Sequence, residues 1–211
     1  MRLFFCVPLP QEAKDRAARA LAPLRKAAGG DGFAGVASRE GQHAGAYGGG
    51  GGLSWTKPEQ MHLTLAFLGE HPSEELDRMY AAAEPCCQIK AFEAVLKGAG
   101  AFPNPRRAHV LWLGISEGAS ELSALAERLC SGLRAAGFEL ETRPFKPHLT
   151  VARVKRGGER DAERALKAAE VGEVARFHVG RLLLMKSELS PKGARHEEVR
   201  AFRLTDSSSH P

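Results

Sequence analysis

No apolar run in this chain approaches the roughly 18 residues a membrane-spanning helix requires, and the absence argues against an integral helical membrane protein. The opening Met1-Arg2-Leu3-Phe4-Phe5-Cys6-Val7-Pro8 is too short an apolar stretch, broken too soon by proline, for a signal peptide; a soluble cytoplasmic protein is the expectation. Cys6, Cys86, Cys87 and Cys130 include no Cys-x-x-Cys spacing. Neither a zinc site nor a disulfide framework is therefore indicated, and the four read as buried thiols. There is also no block of about five or six like charges. The formal charge of +5 suits a polyanion such as RNA without marking a surface for it. Finally, the glycine-rich segment 29–52 lacks the Lys-Ser/Thr pair and the following helix of a phosphate-cradling loop. It reads as a flexible surface insertion.

What the chain does have is a tripeptide used twice. His62-Leu63-Thr64 and His148-Leu149-Thr150 each lie in a short run of alternating apolar and polar residues that reads as a strand. In a strand, residues i and i+2 share a face. His62, Thr64 and Ala66 are thus expected on one side, with Leu63, Leu65 and Phe67 on the other, in a core. His148, Thr150 and Ala152 repeat the pattern against Leu149 and Val151. If the two strands face each other, one cleft holds two imidazoles and two hydroxyl donors.

Around these strands the elements alternate. Residues 2–7 read as a strand and 11–28 as an amphipathic helix kinked or shortened at Pro23. A helix is expected over 74–88 and strands over 92–98 and 108–114. The spacing of Leu122, Leu125, Leu129 and Leu133 marks a helix over 116–136. A short helix over 159–170, a long strand over 175–189 and a last strand over 197–204 close the chain. The order of strand, helix and strands, then the same again, implies an α+β protein. It is expected to be bilobal, two pseudo-symmetric lobes each with a mostly antiparallel sheet and outer helices around a central cleft. Residues 1–205 are expected to form that single two-lobed domain, and 206–211 a disordered tail.

The paired motifs, in their flanking text, resemble the two-histidine phosphoesterase superfamily and, within it, the LigT-like RNA 2′,3′-cyclic phosphodiesterases of the 2′-5′ RNA ligase family. The resemblance is carried by Arg2 to Pro8, His62 to Gly69, Gly100 to Pro103, Val110 to Gly114, Phe145 to Arg153 and Ser187 to Gly193, in order over nearly the whole chain. It implies hydrolysis of an RNA 2′,3′-cyclic phosphate end to a 2′-phosphomonoester, with no metal or cofactor; a monomer is the separate expectation. It further implies His62 as proton donor, His148 as proton acceptor, and Thr64 and Thr150 as donors to the phosphoryl oxygens. It also implies a basic contact at Arg153, although strict alternation puts Arg153 opposite to His148 and Thr150, so that only a bulge or a strand end would turn it inward. Two features depart from the family pattern. Segment 29–52 is longer, and Arg195 to Arg200 is charged where a hydroxyl- and tyrosine-bearing hairpin is expected.

The chemistry agrees with the residue types. Opening a cyclic phosphodiester needs one group to take a proton from water and another to give one to the departing oxygen, and histidine, with an ordinary pKa of about 6.5, suits both. Phe5 and Trp55 are equally candidates for stacking a base and for the core. The six other histidines, His196 among them, read as structural or surface residues. Three other readings stay open: 2′-5′ RNA ligation in the same site, a non-catalytic RNA-binding module, and action on small cyclic nucleotides.

Overall fold

The computed structural model describes residues 1–29, 51–190 and 193–206. Most of the glycine-rich segment 29–52 and of the tail 206–211 lies outside the described residues. In chain order the elements are β1 (Arg2–Pro8), α1 (Gln11–Ala20), α2 (Ala22–Ala27), β2 (Leu53–Trp55), β3 (His62–Glu70), α3 (Leu76–Ala83), β4 (Phe92–Phe102), β5 (Val110–Ile115), α4 (Ala119–Ala135), β6 (His148–Val154), α5 (Glu159–Lys167), β7 (Glu173–Val179), β8 (Arg181–Ser190) and β9 (Gly193–Arg203). The expected helix over 11–28 breaks at Leu21, and Pro23 sits in the first turn of α2, where its missing N–H leaves no bond unmade.

Two antiparallel sheets result, in the orders β3-β1-β8-β9 and β2-β6-β5-β4-β7. Apart from the short edge strand β2, the sheets correspond strand for strand. In each, a first strand (β1, β5) leads through helix to an antiparallel neighbour carrying His-Leu-Thr (β3, β6), and two more strands lie on its other side. The α+β, two-lobed expectation holds.

The lobes are not successive halves of the chain, however. The strand expected over 175–189 is two strands, broken at Gly180: β7 ends one sheet and β8 lies inside the other. Helices also pack across the division, α1 against β7 and α4 against β3 and α3. One core cluster consequently joins both sheets, from Leu3, Phe5 and Leu63 to Leu111, Leu113 and Leu149, with Leu122, Leu125, Leu129 and Leu133 of α4 fully buried in it. Burying roughly 1.5–3 kcal/mol of transfer free energy per large apolar side chain, this shared core holds the two sheets as one packed unit. A smaller cluster, Phe4, Cys6 and Leu183 with Met185, covers the opposite face of the first sheet.

Candidate active site

The two histidine strands are built alike. His62 lies opposite Pro8 and Thr64 opposite Cys6; His148 lies opposite Gly114 and Thr150 opposite Trp112. In both strands the register then slips by one residue, at Leu65 in β3 and at Val151 in β6. A bulge puts two residues against one and restarts the alternation. Ala66 therefore pairs with Phe5 and Ala152 with Leu111, all four buried, while Phe67 pairs with Phe4 and Arg153 with Val110.

This corrects the strict-alternation reading at four positions. Ala66 and Ala152 belong to the core and not to the site face. Phe67, expected in the core, is 52% exposed, and it stands on the face of His62 and Thr64. Arg153 is turned by the bulge to the face of His148 and Thr150 and is exposed. Phe5 and Trp55 are buried, which removes both as surfaces for a base; Trp55 instead lies under the guanidinium of Arg25, 5.2 Å from its ring centre.

Both imidazoles are clamped in the same way. The Nδ1 of His62 is 2.7 Å from the Gln60 carbonyl oxygen and the Nδ1 of His148 is 2.6 Å from that of Lys146, in each case two residues upstream. A carbonyl can only accept, so each Nδ1 carries the proton and donates it. In the neutral ring the lone pair is then on Nε2, which is left for chemistry. β3 and β6 also pack against each other across the junction of the sheets, so His62 with Thr64 and His148 with Thr150 come from strands in contact.

The surroundings differ. The His62 ring stacks on Phe4, with centroids 4.9 Å apart, and meets His196 edge-on at 5.3 Å. Burial, the neighbouring His196 and Lys14 bring its pKa down to about 4, against the raising effect of the Gln60 carbonyl. His148 meets Phe102 edge-on at 4.9 Å. Its pKa is also lowered by burial, opposed by the Lys146 carbonyl. In front of it is a pocket of about 260 Å³ lined by Phe102, Trp112, Lys146 and His148 among others. Trp112 lies flat over Gly100, where a Cβ would come within 2.3 Å of the indole, so only glycine admits the ring there. The Cys6 thiol, between Thr64 and Phe4 in the first lobe, is pushed up to about 12, chiefly by burial, and stays protonated. Among the described residues no group of three His, Cys, Asp or Glu side chains is arranged to hold a metal ion.

Sequence reasoning missed Phe4, Phe67, Phe102, Trp112 and His196. The four aromatics were masked because aromatic residues in strands usually mean core. Phe4 could have been found from its neighbour: if Phe5 is core, alternation sends Phe4 to the other face. His196 had no local signal.

A two-sheet α+β frame that presents one clamped histidine and one threonine from each lobe defines the two-lobed, paired-histidine class. The family comparison agrees: residues 53–191 match the model of the 2′-5′ RNA ligase superfamily. The chain belongs to that superfamily. A protein of Archaeoglobus fulgidus named RNA 2′,3′-cyclic phosphodiesterase is 36% identical over 153 residues, 72% of this chain and 84% of its own length. One of the same name from Thermus thermophilus is 32% identical over 217 residues, 97% of this chain and 90% of its own. Among solved structures, TT0787 of Thermus thermophilus superposes with a TM-score of 0.70 at 30% identity, covering 98% of this chain and all of that one. Escherichia coli LigT complexed with 3′-AMP shares the fold, with a TM-score of 0.67 at 24% identity over 97% of this chain and 98% of its own.

Proposed function

We propose that this protein hydrolyses RNA 2′,3′-cyclic phosphate ends to 2′-phosphomonoesters by acid-base catalysis between its two histidines. The observation that carries the reading is the matched pair of clamps: one imidazole per lobe, each with its Nδ1 proton committed to a backbone carbonyl, which leaves the Nε2 lone pair as the neutral ring's acceptor. The activity for which the relatives are named gives the reaction its name.

In this reaction His148 Nε2 removes a proton from water as the water oxygen bonds to phosphorus. His62 Nε2 delivers a proton to the 3′ oxygen as the P–O3′ bond breaks, leaving the phosphate on the 2′ oxygen. Both protons are then accounted for, and no further group enters the scheme. Afterwards the histidines have exchanged protonation states and re-equilibrate through solvent. Thr64 and Thr150 donate to the non-bridging oxygens where charge is held in the transition state. Arg153 supplies a cation to the phosphate or its neighbour, and the exposed ring of Phe67 offers an aromatic surface to the terminal base.

A donor whose pKa lies near 4 is neutral at pH 7, and this is where the substrate's own charge matters. An anion a few ångströms away favours the charged imidazole, so the phosphodiester itself brings His62 to the protonated state. The test is incubation with an oligonucleotide ending in a 2′,3′-cyclic phosphate, with products resolved by ³¹P NMR. A 2′-phosphomonoester is expected. A ligated strand would replace hydrolysis by 2′-5′ joining in the same site, and binding without turnover would leave a non-catalytic RNA-binding module. A mononucleotide substrate run beside the oligonucleotide measures how much of the RNA the cleft reads.

A further inference from the structure

Three rings close on one another in the first lobe. Phe4 and His62 are 4.9 Å apart, His62 and His196 5.3 Å, and Phe4 and His196 5.1 Å, the two histidines being perpendicular. His196 reaches this place from β9. It pairs with Ser187 of β8, which pairs with Arg2 of β1, and residues directly opposite one another in antiparallel strands project to one face. Alternation from Arg2 makes that the face of Phe4. The hairpin carrying His196 is also tied to the segment before His62: the Gln60 side-chain amide donates to the Ala194 carbonyl, while the Gln60 carbonyl accepts from His62 Nδ1. One residue therefore links the orientation of His62 to the position of β9.

The chemistry of His196 is out of place for a packing residue. Its Nδ1 is buried and has no hydrogen-bond partner among the described residues, an arrangement a folded protein avoids and a phenyl ring would remove. It falls in the charged stretch Arg195 to Arg200. The other ionisable groups around His62 are few. Lys14 from α1 disfavours its protonation, as His196 does. Cys6 from β1 is a neutral thiol, and Glu198 from β9 acts on Cys6. Arg2 shares the row of His196.

We propose that His196 is a positioning residue that fixes the plane of the His62 ring and couples the protonation of His62 to the arrival of an anionic phosphate. Two imidazoles at this spacing hold one proton between them more readily than two. Without an anion beside it the pair is neutral near pH 7; when a phosphodiester arrives, the proton it recruits settles on the ring facing it. The inference rests on the donor role of His62, and its first readout does not depend on turnover.

That readout is the NMR titration of the His62 ring in the wild-type protein, His196→Phe and His196→Tyr, each with and without 2′-adenylate. In both variants the midpoint of free His62 is expected to rise by about one pH unit, and the rise on adding the nucleotide is expected to shrink. In activity, kcat is expected to fall by about tenfold with KM little changed, and the alkaline limb of kcat/KM to move up with the titration. A His62 midpoint that stays put in both variants would overturn the coupling, whether or not the protein hydrolyses the cyclic phosphate. A shifted midpoint in a protein with no phosphodiesterase activity would keep the coupling and overturn the proposed function instead.

Discussion

On β3 the bulge after Thr64 turns Phe67 to the site face; on β6 the same bulge after Thr150 turns Arg153 there. The two strands thus share pairing, burial pattern and Nδ1 clamp, and differ in the residue that the bulge delivers, one an exposed phenyl ring and the other a guanidinium. They differ also in enclosure, with His62 held between Phe4 and His196 and His148 touched at one edge by Phe102. A pair of identical half-sites would bind a phosphate in either sense. If the two strands act as the proposed site, this asymmetry, an exposed Phe67 on the face of His62 and an exposed Arg153 on the face of His148, would give a bound nucleotide one preferred way to lie.

The most severe way to break this comparison is to remove one imidazole at a time. His62→Ala and His148→Ala are each expected to lower kcat by a factor on the order of 10²–10⁴ with circular dichroism unchanged. A substrate with sulfur in place of the 3′ oxygen separates their roles, because a thiolate departs without a proton. Such a substrate should restore much of the activity of His62→Ala and little of that of His148→Ala. Equal rescue of both would reverse or abolish the assignment.

Next in size are the residues the bulges deliver. Phe67→Ala is expected to raise KM for a cyclic-phosphate nucleotide by roughly 5- to 150-fold, since stacking one base is worth about 1–3 kcal/mol. It should leave an abasic cyclic phosphate almost unaffected. Arg153→Met is expected to raise KM about tenfold for both substrates and to flatten the dependence of KM on salt, as loss of a phosphate contact does. If the two variants respond alike to removal of the base, the proposed direction of the cleft is wrong.

A smaller effect is expected at Gly100. Gly100→Ala would drive a methyl group into the Trp112 ring, and overpacking of this kind costs about 1–3 kcal/mol. Thermal denaturation should show the loss, and the effect on kcat should follow from displacement of Trp112 beside His148.

The mildest test is pH. The folded-state pKa values of His62, His148 and His196 are all lowered below the ordinary histidine value, so the unfolded chain takes up these protons first as pH falls. Stability is therefore full above about pH 6.5 and declines through the window down to about 4, where His62 titrates. Urea midpoints between pH 7 and 4 should show this decline, and it should be shallower in His62→Ala.

Much of the site was legible in the residues themselves. A repeated His-x-Thr in strand-like text needs only two-residue periodicity to place each histidine with its threonine, and both pairs lie where that period puts them. The period failed beyond each threonine, at Ala66 and Phe67 and at Ala152 and Arg153, because a bulge is a mismatch between two strands. Nothing within Leu65 or Val151 announces it; it exists only against β1 and β5. The break at Gly180 was hidden for a related reason. Val179 and Leu182 are both core residues, and two apolar runs separated only by Gly180-Arg181 do not reveal that they serve different sheets.

By itself, then, the sequence determined the local elements, the α+β class, the two histidine strands and the shared face of each His-x-Thr, since all of these follow from periodicity and from residue chemistry along one strand or helix. Tertiary structure alone decided which strands became neighbours and where their registers slipped. From that came the exposure of Phe67 and Arg153 and the approach of His196 across β8 and β1 to the ring of His62. Those are relations between segments distant in the chain, and no local pattern encodes them.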